Sequence, residues 1–255
     1  MVIAVVNSKG GVGKTTTSVN LGAALASARR RVLIMDLDSQ ASASMWLGVP
    51  RGRLRPSSAS CLLHQVPLAQ AIRRTATPHL DLVTGSIELA SADLALCDVP
   101  GRELALRQLL QTVLPDYELI LLDCPPSLSL ISVNALVASD GFIVPVVPRF
   151  LAAEALVGLL ASADIVRSRL ASRSRLLGVL LTMVDQQART SVIRERLRAQ
   201  YRDRVFHTEI GLNPAIEAAP AASQPVLSYA PRSAAADAYR RLAGEVLERL
   251  RPLRH

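Results

Sequence analysis

The residues with the clearest chemistry lie near the start of the chain, in the run Lys9, Gly10, Gly11, Val12, Gly13, Lys14, Thr15 and Thr16. Glycines among small residues let successive backbone N–H groups converge on one point, and a helix starting directly after them adds its positive end. The run therefore reads as a cradle for phosphate. An ammonium at Lys14 would reach the β and γ phosphates, and the Thr15 hydroxyl would coordinate Mg2+. Of the 29 basic residues only two are lysines, and both stand in this loop. These positions call for a compact point charge that a planar guanidinium does not supply.

Carboxylates are the second ingredient. The apolar run from Val32 ends in Asp36 and Asp38, and the run from Glu118 ends in Asp123. An acidic side chain at a strand end beside bound phosphates can orient a nucleophilic water or hold a metal's water shell.

Such groups need a scaffold that delivers strand ends to one edge. Short, nearly continuous apolar runs predict strands at 2–7, 32–36, 80–84, 118–123, 142–147, 176–182 and 205–210. Helical periodicity predicts helices at 15–28, 103–114, 129–138, 152–170, 191–201 and 233–250. This alternation predicts an α/β fold, a mostly parallel twisted sheet with helices on both faces. The last helix places Tyr239, Leu242, Ala243, Val246, Leu247 and Leu250 on one face. That face is expected to dock on the core, the alternative being an amphipathic membrane tail. The segment 49–60, with Arg51, Arg53 and Arg55 among prolines and serines, is expected to be a mobile loop.

At 255 residues, half of them hydrophobic, one domain spanning 1–255 is expected. The formal charge of +8 favours a polyanionic partner, nucleic acid or an anionic membrane. Cys61, Cys97 and Cys124 form no C-x-x-C pair, which argues against zinc and disulfides and leaves them as expected buried thiols. Neither a signal peptide nor a membrane span is evident, so a cytoplasmic protein is expected.

The loop departs from G-x-x-x-x-G-K-[ST] by carrying Ser8 where the first glycine would stand, with Lys9 before Gly10. In this it resembles the deviant Walker A loop of the ParA/MinD family, a branch of the P-loop NTPases, and the likeness extends over essentially the whole chain. The resemblance implies ATP and Mg2+ as cofactors and an ATP-dependent homodimer in which Lys9 reaches the partner's phosphates. It implies that Asp38 orients the attacking water, that Asp36 supports the Mg2+ shell with Thr15, and that Asp123 is the Walker B carboxylate. Met183, Asn213 and Pro214 would flank the adenine. The segment 178–185 lacks the Asn and Lys of a guanine reader, so ATP is favoured over GTP. No N-terminal operator-binding domain is expected, since the loop begins at residue 8.

The resemblance further implies slow, partner-stimulated hydrolysis, a ParB-like or other cargo adaptor, and non-specific DNA as the bound surface, with nucleoid association. Relatives carry arginines after the strand ending near Ile210, whereas this chain reads Gly211, Leu212, Asn213 and Pro214. The substitute expected here is Arg194, Arg198 and Arg202, four apart, with Arg189 before them. A MinD-like membrane switch, which would require the terminal helix to present a free apolar face to lipid, is disfavoured, and a metabolic P-loop enzyme is the rival of a different class.

Overall fold

The computed structural model describes residues 1–149, 152–185 and 188–253, and the side chains of Ala188 and Arg189 lie outside the described set. Eight strands form one sheet: β1 Val2–Val5, β2 Val32–Asp36, β3 Ile72–Arg74, β4 Leu80–Val83, β5 Leu119–Asp123, β6 Gly141–Val146, β7 Arg175–Val184 and β8 Ile210–Gly211. Their order is β3-β4-β2-β5-β1-β6-β7-β8. Every neighbouring pair is parallel except β3 with β4. The residues that end β1, β2 and β5 therefore emerge at the same carboxyl edge, where in-register pairing sets Val5 beside Asp123 and Asp36 beside Asp123.

Side chains alternate across the sheet, and the two apolar sets are covered by different helices. Ile3, Ile34, Leu121 and Ile143 face the helix Lys14–Leu25 and the terminal helix Ala234–Leu250. Ala4, Met35, Leu122 and Val144 face the helices Ala105–Gln111, Leu130–Ala138 and Ala152–Arg169. Close approach of the Lys14–Leu25 helix depends on Gly22, where a Cβ would meet Ile34 Cδ1 at 2.7 Å.

The terminal helix docks as its pattern requires: Tyr239, Leu242, Ala243, Val246 and Leu250 are buried and Leu247 is half-buried. That burial removes the free apolar face a membrane tail needs, and no described helix is long and apolar enough to cross a membrane.

Four expectations are corrected. The strand expected over 205–210 shrinks to Ile210–Gly211, with Val205 making only a bridge to Val179, because side chains take up the backbone between: His207 N and Thr208 N donate to Glu245, and Phe206 O and His207 O accept from Arg198. Strand β3 escaped the pattern because it is three residues long and carries Arg73 and Arg74, charges suited to an exposed sheet edge. The segment 49–60 is structured: it contains the turn Arg51–Arg53 and ends in a reciprocal cap between Ser57 and Ser60 that opens the helix Ser58–His64. Finally, Cys97 is exposed, while Cys61 and Cys124 are buried.

Candidate nucleotide site at the carboxyl edge

Strand β1 delivers the chain into the loop, and Gly11 (φ 68) and Gly13 (φ 85) take left-handed backbone that only glycine adopts without strain. Gly13 occupies the cap position of the Lys14–Leu25 helix with no side chain capping it. The first-turn amides, together with the positive end of the helix dipole, are therefore available to an anion. The loop is braced from neighbouring strands: the Thr182 hydroxyl donates to Val12 O at 2.8 Å. Buried Asn7 donates through Nδ2 to Pro145 O at 2.7 Å and accepts from Lys9 N at 3.0 Å.

The two lysines are placed differently. Lys14 is 7% exposed, and its Nζ donates to Lys9 O at 2.8 Å. Burial pulls its pKa below the ordinary lysine value, with the charge of Asp123 opposing that shift. Lys9 is exposed.

Asp123 is buried beneath the loop and accepts from Thr15 Oγ1 and from Ser18 Oγ, each at 2.8 Å. Desolvation, followed by the neighbouring Asp36 charge, raises its pKa. Asp36 is also buried and raised chiefly by desolvation. Its oxygens accept from Asp38 N at 3.1 Å, Ser44 N at 2.9 Å and Ser44 Oγ at 2.6 Å. Asp36 is not among the residues that line the cleft, and its carboxylate holds the Asp38 turn. Gly85 allows this packing, since a Cβ there would meet Asp38 O at 2.6 Å and Asp36 Oδ1 at 2.9 Å. Asp38 does reach the cleft, opposite Gly13, Lys14, Thr15 and Thr16, in a volume of about 520 Å³ closed at its sides by Trp46, Pro126 and Met183.

The donor set fits Mg2+. Among the described residues no three His, Cys, Asp or Glu side chains could hold a metal ion. Mg2+ is commonly held by one or two carboxylates with phosphate oxygens and water completing the shell, and the Thr15 hydroxyl hydrogen-bonded to Asp123 offers that hard-oxygen start.

Beside the loop is a smaller apolar cavity of about 110 Å³, lined by Gly13, Thr16, Met183, Asn213, Ile216 and Tyr239 among others. It brings Met183 and Asn213 together. Pro214 does not line it; it opens the helix Pro214–Ala218, which Asn213 caps by accepting from Ala215 N at 2.9 Å.

The arginine stripe is not a free surface. Arg198 sits 2.7 Å from Glu209 and also donates to Phe206 O and His207 O at 3.1 and 3.3 Å, while Arg194 lies 3.6 Å from the same carboxylate. Arg194 and Arg198 are thereby partly neutralised by Glu209. Arg202 is exposed, and the Arg189 side chain lies outside the described residues.

Sequence reasoning missed Asn7, Ser44, Thr182 and Trp46. The indole Nε1 of Trp46 donates to Gln224 O at 2.8 Å, tying the cleft wall to a segment 178 residues away. Asn7, directly after β1, carried a positional signal; the others are recruited by tertiary contact.

A family model described as an AAA domain matches residues 1–176. The sporulation initiation inhibitor protein Soj of Bacillus subtilis is 39% identical over 246 residues, 96% of this chain and 97% of Soj. The chromosome partitioning protein ParA of Caulobacter vibrioides is 37% identical over 253 residues, 98% of this chain and 95% of that protein. The structure of cobyrinic acid a,c-diamide synthase from Mycobacterium smegmatis, solved with an ATP analogue and magnesium, matches with a TM-score of 0.87 at 31% identity. That match covers 98% of this chain and 95% of the synthase. With a phosphate loop, a buried carboxylate beneath it and near-full-length likeness to Soj and ParA, the chain belongs to the ParA/MinD family of deviant Walker A ATPases, which hydrolyse ATP with Mg2+.

Proposed function

We propose that this protein is a cytoplasmic partition-type ATPase that positions a cargo by cycling between a monomer and an ATP-bound sandwich dimer. The observation that carries this reading is the division between its two lysines. Lys14 is buried and turned back on its own loop, placed to neutralise phosphate within one subunit. Lys9 stands exposed on the same loop, and in this reading it serves the phosphates of a second subunit.

In this account the loop amides and Lys14 bind the phosphates. Thr15 and Asp123 hold Mg2+, whose chemistry is to neutralise charge on the phosphate oxygens. Met183 and Asn213 border the cavity that takes the adenine. Asp38, fixed by Asp36 and Ser44, orients water for attack. Hydrolysis is slow until a ParB-like or other adaptor completes the site, and the dimer holds non-specific DNA until then. A lipid-bound alternative loses support because the terminal helix has its apolar face in the core.

Asp38→Ala separates binding from hydrolysis. The variant is expected to bind ATP with wild-type affinity, to turn over at about a hundredth of the wild-type rate or less, and to accumulate as dimer. Wild-type turnover in a single-turnover assay would move the hydrolytic role to another residue.

A further inference from the structure

The amino edge of the sheet, opposite the nucleotide cleft, carries a second concave surface in which arginines outnumber acids. A cleft of about 470 Å³ at the start of β6 and β7 is lined by Arg167, Arg173 and Arg175 with Asp140 and Ser172. An adjoining cleft of about 190 Å³ shares Asp140 and Arg173 and adds Arg107. All four arginines are exposed.

Their surroundings compensate this charge only in part. Arg167 pairs with Asp164 at 3.0 Å. Among the described residues Arg107, Arg173 and Arg175 pair with no carboxylate. Asp140, the single acid among the described residues that line the clefts, already accepts from Val2 N at 2.7 Å. The mounting is rigid as well. Arg173 stands between buried Ser172 and Ser174, whose hydroxyls are anchored to Leu136 O at 2.9 Å and to Ser139 Oγ at 2.7 Å. Arg175 opens β7 in register with Gly141. The backbone that carries these arginines is thus fixed, and their exposed guanidinium groups present the planar fork that suits phosphate.

We propose that this face binds the phosphodiester backbone of duplex DNA, an inference that rests on the partition-type reading above. A small phosphorylated ligand would be met by converging buried donors, whereas these arginines are exposed and spread over two adjoining clefts. A lipid surface calls for exposed apolar anchors, and none of the large exposed hydrophobic side chains lines either cleft. The face lies at the sheet edge away from the dimer seam, so it is open in both nucleotide states. A dimer carries two such faces, and ATP tightens binding to long duplexes by linking them rather than by building the contact.

Fluorescence anisotropy with the full chain tests this. Short and long duplexes are titrated across salt with ADP or a non-hydrolysed ATP analogue, and hydrolysis and light scattering are followed in parallel. Arg173→Gln/Arg175→Gln is expected to weaken binding about tenfold or more and to reduce the log–log salt slope by about two, with Arg107→Gln reducing it by about one. Hydrolysis and dimerisation stay at wild-type levels, and affinity for the short duplex is the same with either nucleotide. Wild-type DNA binding that both variants retain at full strength and slope would overturn this face while leaving the partition reading intact. A wild-type protein that binds no duplex, or binds only phosphatidylserine-containing vesicles, would overturn both the face and the DNA part of that reading. A short-duplex affinity that rises with the analogue would contradict an always-open contact.

Discussion

Charge is handled in opposite ways at the carboxyl edge of the sheet and on the helix Ala188–Tyr201. At the edge, Lys14 and Asp123 are buried, with partners at 2.8 Å supplied by the same loop and helix. On the helix, Arg194 and Arg198 lie over Glu209 on the following turn and expose about a third of each side chain. A buried charge with fixed partners is positioned to act on phosphate. A half-exposed one with a nearby carboxylate is held by the fold and screened by water. The same comparison favours Arg107, Arg173 and Arg175 at the amino edge, which are exposed and pair with no carboxylate among the described residues.

Lys14→Ala should break the first half of this comparison most severely. It removes the buried ammonium beside the phosphates, and a charge-assisted contact of this kind is worth up to about 3 kcal/mol, or roughly a hundredfold in nucleotide affinity. Lys14→Arg should fail similarly, because the planar head does not fit a cavity shaped for a point charge. Titration calorimetry with ATP and Mg2+ reads both, and near-normal affinity in either variant would remove Lys14 from the phosphate site.

Ser44→Ala is expected to be next in size. It strips buried Asp36 of its 2.6 Å hydroxyl partner and Gly85 N of its acceptor at 3.0 Å. The cost should be about 2 kcal/mol in urea unfolding, with kcat falling more than KM rises because the Asp38 turn loosens. A variant with unchanged stability and kcat would show that the turn is held by other contacts.

The smallest effect sharpens the other half. Arg198→Ala is expected to cost about 1 kcal/mol of stability, since the pair is partly exposed, and to leave DNA affinity within about twofold of wild type. A large loss of DNA binding at normal stability would return that helix to the nucleic-acid interface.

How much of this was legible in the sequence follows from how locally each part is determined. The loop was readable because strand, glycines, lysine and threonine are consecutive, and the alternation of apolar runs was enough for a parallel sheet with two covered faces. The resemblance gave Asp36 and Asp38 separate roles, but the burial of Asp36 behind the Asp38 turn depends on Ser44 and Gly85 packing against it, which no local pattern shows. The pairing of Arg198 with Glu209 was hidden because the strand that periodicity suggested over 205–210 is interrupted where Arg198 and Glu245 take up its backbone groups. Arg107, Arg173 and Arg175 offered no motif; they meet only because β6 and β7 start beside one another.

The central claim is that Lys9 acts across a subunit interface, and static light scattering with a non-hydrolysed ATP analogue tests it most directly. Two phosphate clusters facing each other in a dry interface repel by several kcal/mol unless cations lie between them. Wild type should double its mass on adding the analogue with Mg2+, while Lys9→Ala, binding the analogue normally by calorimetry, should stay a monomer. A Lys9→Ala protein that dimerises and hydrolyses ATP as wild type does would contradict the account and return the protein to the metabolic P-loop class.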